Sequence, residues 1–322
     1  MHTRLTERLS ITHPIISAPM AIAATGKLAT AVSAAGGLGM IGGGYGDITW
    51  IEEQFSSVKD GGVGCGLITW SIDERPEVLE STLDLKPKAL FLSFGNPECH
   101  VQKIKDRGIP VICQVQTFKD ARNALDCGAD ILVAQGAEAG GHGETRATMS
   151  LVPELADLIA TRSSNTLLCA AGGIADGRGL AAALMLGADG IVMGSRFWAT
   201  REAGVHENMH QAALQATGDD TIRSQVMDIA RKIAWPDRYS ARVLKNGFTD
   251  RWHRNVDRLR EVSEIESARW IQAWADGNVA VANTFVGEAV ALIDRLETAE
   301  TVVSRTVREA EKLLNRNWET GS

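Results

Sequence analysis

Apolar residues in this chain gather into short runs that recur at a regular spacing. Eight of them fall between Pro14 and Phe197, at 15–18, 37–41, 63–68, 89–93, 110–115, 131–134, 167–171 and 190–193. The segments between them, 27–35, 48–58, 76–83, 100–107, 118–127, 152–161 and 178–186, are each long enough for about two or three helical turns. The runs lack polar alternation, which suits parallel strands covered on both faces. Eight strand–helix units in succession predict an α/β fold, a (β/α)8 TIM barrel over residues 1–204. A doubly wound open sheet fits the same periodicity, because the pattern does not report closure. A weak repeat supports stacked units: Gly128-Ala129-Asp130 precedes the sixth run and Gly187-Ala188-Asp189 the eighth. In each, a helix is expected to end at the glycine, where a left-handed residue costs least.

Beyond Ala199 the texture changes. Segments 206–217 and 257–276 read as helices, 219–254 is mixed, and 281–316 carries a long amphipathic helical pattern with a break near 297–299. The expectation is a mainly helical C-terminal cap over residues 205–280, followed by C-terminal helices (281–322) packing back on the barrel. Trp198, Trp235, Trp252, Trp270, Trp274 and Trp318 all follow residue 197. They fit either a lid over the barrel mouth or the seal of a domain interface.

Composition narrows the function classes. The chain has 322 residues, and 33 basic against 40 acidic side chains leave a net charge of −7. A nucleic-acid binder is disfavoured by that balance. No apolar run approaches the roughly 18 residues a membrane span needs. The polar start, residues 1–10, has no signal-peptide pattern, so a cytoplasmic protein is the expectation. Cys65, Cys99, Cys113, Cys127 and Cys169 are odd in number and form no Cys-x-x-Cys, which favours buried reduced thiols over a disulfide framework or a zinc ribbon.

The candidate chemistry lies in glycine-rich turns. Gly172-Gly173 follows the seventh run, and Met193-Gly194-Ser195 ends the eighth. In a barrel these turns are neighbours at the C-terminal face, where glycine backbone can approach a phosphate closely and Ser195 can add a hydroxyl. Two other patterns are coincidental. Gly37-Leu38-Gly39-Met40-Ile41-Gly42 fits Gly-x-Gly-x-x-Gly, but it follows a helix and runs through a strand, the reverse of a dinucleotide fingerprint. His206-Glu207-Asn208-Met209-His210 matches His-Glu-x-x-His without the third histidine and glycine of a metzincin, so it is read as a solvated helix start with no metal. Asp130 and Asp189 precede their strands at the far end of the barrel and read as turn caps; Asp176 reads as a helix start.

The sharpest segment is Gln135-Gly136-Ala137-Glu138-Ala139-Gly140-Gly141-His142-Gly143, just past the sixth run. It has no periodicity and is expected to be a flexible loop. Gln135 offers a donor and an acceptor together. Gly140 and Gly141 permit close backbone approach. His142 is expected to titrate near neutral pH and to serve as a base.

With these motifs in place, the chain resembles the nitronate monooxygenases, formerly 2-nitropropane dioxygenases, which are flavin-dependent barrels. The likeness rests on Pro14-Ile15-Ile16-Ser17-Ala18-Pro19-Met20-Ala21, on the loop from Gln135 to His142, on Ala171-Gly172-Gly173-Ile174-Ala175-Asp176-Gly177-Arg178, and on the stretch from Gly187 to Phe197. It is good over about residues 10–200 and weaker beyond. The resemblance implies non-covalent FMN. Pro19 and Met20 would lie against the isoalloxazine ring, and Gln135, Gly140 and Gly141 would contact the flavin or its ribityl chain. Gly172, Gly173, Met193, Gly194 and Ser195 would cradle the phosphate, and His142 would be the catalytic base. One departure stands at strand three. The family often carries Asn in Gly-Val-Asn-Leu, where this chain reads Gly64-Cys65-Gly66-Leu67.

The implied activity is oxidation of alkyl nitronates, and of nitroalkanes after proton removal, by dioxygen to a carbonyl compound and nitrite. An NAD(P)H-dependent enoyl-ACP or quinone reductase on the same barrel is the alternative, and a non-catalytic phosphate-ligand binding protein the further one. The expected partners are small molecules, with no nucleic acid and no membrane, and self-association into a homo-oligomer is left open.

Overall fold

Residues 1–58, 62–162 and 165–316 are described by the structure, a computed structural model. Trp318 and the end of the 281–322 segment lie outside the described residues.

Every apolar run becomes a strand. β1 (Ile15–Ser17), β2 (Met40–Gly42), β3 (Gly64–Ile68), β4 (Leu90–Ser93), β5 (Val111–Val115) and β6 (Ile131–Gln135) are joined by β8 (Leu167–Ala171) and β9 (Gly190–Met193) in one parallel sheet. Its order is β1-β9-β8-β6-β5-β4-β3-β2. The two ends meet. Ser17 N donates to Leu38 O at 3.0 Å and Leu38 N to Ile15 O at 2.9 Å, while Met40 N donates to the Ser17 hydroxyl at 2.9 Å. The sheet is therefore a (β/α)8 barrel, and the open-sheet alternative is excluded.

Alternation along each strand divides the core in two. Leu90 and Leu92, Leu132 and Ala134, and Leu168 and Ala170 face outward into the helix layer. Phe91, Ile131, Val133, Leu167 and Cys169 fill the interior. The same register makes Gly66, Ser93, Gln114, Gln135 and Ala171 the top inward layer. Leu5 and Leu9, on the helix Arg4–Leu9, plug the bottom. Arg4 grips Asp189 at 2.7 and 2.9 Å and Arg8 reaches Asp130 at 2.9 Å. These two acids also accept from Leu168 N and Val111 N. They fasten the plug rather than serve the mouth.

The glycines of the second run are packing devices. A Cβ at Gly39 would overlap the backbone of Ala29, on the helix Gly26–Ala34, and one at Gly42 would overlap the backbone of Met20. Of the cysteines, Cys65, Cys113 and Cys169 are buried, but Cys99 is exposed and Cys127 half-buried, so the expectation of buried thiols holds for three of five. Burial pushes the Cys65 thiol up to about 12.

Past the barrel, the chain is less helical than its pattern suggests. β10 (Thr221–Ser224) and β11 (Ser240–Leu244) pair antiparallel, and β11 pairs with β7 (Gly141–Gly143), a short strand inside the expected loop. The region 257–276 holds two helices, Val256–Glu261 and Ser263–Ala275. The pattern over 281–316 yields an α-helix only over Ala299–Leu314, preceded by a short 3-10 helix at Glu288–Leu292. Upstream, Val286 and Gly287 lie so close to Gly140 that a helix would not fit against it. The final helix packs on the helices Gly26–Ala34 and Gly177–Met185, with Gly177 N donating to Glu309 at 3.1 Å. Among the described residues no helix is long and apolar enough to cross a membrane.

Candidate active site

The top inward layer floors a cavity of about 540 Å³ at the C-terminal mouth of the barrel. Its wall includes Pro19, Met20, Gln135, Gly140, Gly141, His142, Gly172, Gly173, Gly194 and Ser195, so the separate sequence motifs converge on one space. Met193 is the exception. Register turns its side chain outward into the helix layer, where it is fully buried, and Val192 faces the cavity in its place.

His142 is not on a flexible loop. It sits on β7, paired to Ala241 of β11, and is 9% exposed. Its Nε2 lies 3.0 and 2.9 Å from the two oxygens of Asp228, a carboxylate that is itself 4% exposed. Nε2–H donates to that carboxylate, which leaves the lone pair on Nδ1. The Trp235 ring stacks on the imidazole at 3.5 Å and 8°. Burial drives the His142 pKa down from 6.5, Asp228 opposes this, and Arg231 and Arg223 add to it. The ring is consequently neutral at pH 7, as a base must be, with its pKa held below the ordinary imidazole value.

Two arginines hold the segment leading to His142. Arg223 donates through Nε and Nη2 to Ala137 O at 3.2 and 3.0 Å, and Arg242 Nε donates to the same carbonyl at 3.0 Å. Glu138 accepts from the Thr148 backbone and hydroxyl at 3.0 and 2.9 Å. The Gln135 carbonyl oxygen is already taken by Gln114 and Gln116, at 3.2 and 2.9 Å. Gln135 therefore presents its NH2 to the cavity as a donor, not the donor–acceptor pair expected.

The glycine turns have the conformations their residues suggest. Gly172 and Gly173 are both left-handed, at φ 99° and 73°. Ser195 Oγ accepts from Gly287 N at 2.9 Å, so the serine proton remains to be donated. Gly66 lies against the Pro19 ring, and any Cβ there would overlap it. A side chain has no room at this point, so at Gly66 strand three offers the cavity backbone only, while Ile68 lines it one step further up.

Backbone strain is found on the same wall. Ile22 and Phe94 have φ of 68° and 63°, unusual for side chains of that bulk. Phe94 meets His142 edge-on at 6.2 Å and Trp235 at 5.0 Å.

Several wall residues carried no signal in the sequence. Tyr45, Phe94, Arg231, Phe285 and Gly287 reach the cavity from distant segments, and Asp228 stands behind His142; Trp235, one of the tryptophans the sequence left between a lid and an interface seal, joins them on the wall. The metal-like pair is not assembled: His206 Nδ1 accepts from Asn208 N at 3.2 Å, while His210 Nε2 bonds to Trp198 O at 2.9 Å.

The nitronate monooxygenase family model matches residues 2–60 and 72–309. The chain belongs to the nitronate monooxygenase family. A nitronate monooxygenase of Neurospora crassa is 31% identical, over 94% of this chain and 90% of its own. One of Metarhizium robertsii is 34% identical, over 93% and 91%. Among solved structures, FabK from Thermotoga maritima superposes with a TM-score of 0.85 at 30% identity, covering 98% of this chain and 97% of its own. A nitroalkane oxidase from Streptomyces ansochromogenes, at 23% identity and TM-score 0.82, shares the fold, covering 96% and 98%. As a member of the family, the protein is a flavin-dependent oxidoreductase.

Proposed function

We propose that the cavity binds FMN and that the protein oxidises alkyl nitronates with dioxygen to a carbonyl compound and nitrite, with His142 as the base that admits neutral nitroalkanes to the same reaction. The observation that carries this reading is a neutral imidazole, backed by a buried carboxylate, on the wall that also holds both glycine turns.

The residues present fit the cofactor. Gly172 and Gly173 form consecutive left-handed positions where no side chain stands between backbone N–H groups and an anion. The Ser195 hydroxyl has a proton to give, and Gly194 beside it lies against Ala18 and Met20 without crowding. Pro19, Met20 and the bare Gly66 make a flat apolar floor, and the Gln135 amide supplies a donor at its edge. Met193 contributes through the backbone that anchors Ala18 N at 2.9 Å, not through its side chain. Bound there, FMN would supply the redox chemistry that carries electrons from the nitronate to dioxygen.

The protein's own part is proton handling. Nδ1 of His142 takes the α-proton of the nitroalkane, leaving a nitronate anion beside an imidazolium. Asp228 stabilises that imidazolium through Nε2–H and fixes the tautomer that leaves Nδ1 free. Trp235, stacked on the ring, holds its plane and excludes water. A preformed nitronate needs none of this. His142→Ala should therefore lower kcat/KM for nitroethane far more than for ethylnitronate, and equal losses on both would remove His142 from the role of base.

NAD(P)H-dependent reduction is the second reading. The likeness to FabK and the broad apolar wall of Trp198, Trp270, Trp274 and Phe285 favour it.

A further inference from the structure

The cap and the barrel meet at one carbonyl. Arg223 on β10 and Arg242 on β11 stand directly opposite each other in the register of that strand pair. Like charges so placed destabilise a sheet. Glu288 pairs with Arg242 Nη2 at 2.8 Å, while Arg223 has no ion pair among the described residues. Its fork goes instead to backbone carbonyls: to Ala137 O through Nε and Nη2, to Ala139 O at 3.4 Å and to Ser240 O at 2.6 Å. Burial and the neighbouring Arg242 bring the Arg223 pKa down to about 10, so the side chain stays charged at pH 7.

With Arg242 Nε added, Ala137 O accepts three N–H groups from two guanidinium ions, more than the two lone pairs of a carbonyl ordinarily serve. Two like charges are thus brought together on the segment between Gln135 and His142. The cap grips this segment twice more. Glu288 N donates to Glu138 O at 2.9 Å, and β7 pairs with β11. Gly143 is bare where Arg223 passes, and a Cβ there would stand 3.0 Å from Nη2. A loop of the barrel is therefore set in a frame that residues 221–288 supply.

We infer that Arg223 and Arg242 are positioning residues, a two-pronged clamp through which the cap sets the place of His142 over the reacting carbon. The inference rests on the reading of His142 as the base. The planar guanidinium of Arg223 reaches the Ala137 and Ser240 carbonyls at once, which the ammonium of a lysine does not reproduce. Lysine does keep the charge, and the charge has a signature of its own. The charged groups facing His142 are Asp228, which raises its pKa, and Arg231 and Arg223, which lower it. Glu138 and Glu144 are turned to Thr148 and Arg238. Tyr45 and Tyr239, beside Trp235, are kept protonated by burial.

The test is steady-state kinetics of the holoenzyme, with FMN in excess, on nitroethane and ethylnitronate from pH 5 to 9, together with hydrogen exchange over residues 136–143. Arg223→Lys keeps the stem and the charge, so the strand pair keeps its partners. It should lower kcat for nitroethane by about tenfold to a hundredfold, the cost of misplacing a catalytic group by about 1 Å, with KM changed by less than about threefold. Ethylnitronate should change by less than about threefold, and the acid limb of the nitroethane profile should stay in place. Arg223→Met should show the same loss with the acid limb moved to higher pH, because a charge that lowers the His142 pKa is gone. In both variants residues 136–143 should exchange faster, with β4 and β5 unchanged. Full kcat in Arg223→Lys, or unchanged exchange over 136–143, would overturn the clamp. So would an Arg223→Lys that loses both substrates equally while His142→Ala spares ethylnitronate. Faster exchange in both variants of a protein whose wild type oxidises no nitronate retains the clamp and removes the nitronate reading alone.

Discussion

Replacing Asp228 by Asn removes one charge with almost no change of shape, and it probes the chemistry of His142 without touching the imidazole. In the native protein, Nε2–H meets both carboxylate oxygens, at 3.0 and 2.9 Å, in a setting where Asp228 is 4% exposed. A hydrogen bond between charged groups contributes about 1.5–3 kcal/mol, more than a neutral one, and most of that is realised only once the ring becomes imidazolium. At about 1.4 kcal/mol per factor of ten, Asp228→Asn should cut kcat/KM for nitroethane by about tenfold to a hundredfold. Ethylnitronate, which arrives deprotonated, should change by less than about threefold. The sign of the pH effect is also fixed. Asp228 raises the His142 pKa against the dominant effect of burial, so the Asn variant should show the acid limb of its nitroethane profile moved to lower pH. The assay is steady-state kinetics on both substrates from pH 5 to 9, with deuterated nitroethane to report whether proton abstraction has become limiting. Losses of equal size on the two substrates, or a nitroethane profile that does not move, would refute the carboxylate's role.

Two further outcomes follow from the site. His142 is held below its unfolded value of 6.5, so the unfolded chain binds the extra proton first; the histidine's contribution to stability is present above about pH 6.5 and is lost as pH falls through the folded pKa. Melting temperature should drop between pH 7 and pH 5, and His142→Gln should flatten that drop; an unchanged slope contradicts it. Gly173→Ala places a side chain at φ 73° with Glu138 Cβ at 3.4 Å, for about 1–2 kcal/mol of stability. It should also weaken FMN binding by more than about tenfold if this turn holds the phosphate, measured by flavin fluorescence on reconstitution; undiminished affinity would detach the turn from the phosphate.

The barrel was legible because its signal is local. A run such as 131–134 is apolar on both faces wherever it is read, and its strand and neighbouring helix follow. The glycine turns and His142 were legible for the same reason, since each lies next to a strand end in sequence. What escaped was long-range. β7 forms only because β11, about a hundred residues later, pairs with it, so the segment around His142 read as a loop. Asp228 lies in a stretch of mixed texture with no periodicity to mark it, and only the fold brings it, and Trp235 with it, to the imidazole. The outward turn of Met193 could have been read in advance. Strand alternation from Val192 decides it, and the family motif obscured that parity.

The account stands most directly on what reduces the bound flavin. Purified protein should be yellow and should release FMN on denaturation. Under anaerobic conditions ethylnitronate should bleach its visible absorbance, and NADPH in a second cuvette should not. Bleaching by NADPH with ethylnitronate inert, or colourless protein that takes up no FMN, would contradict the account.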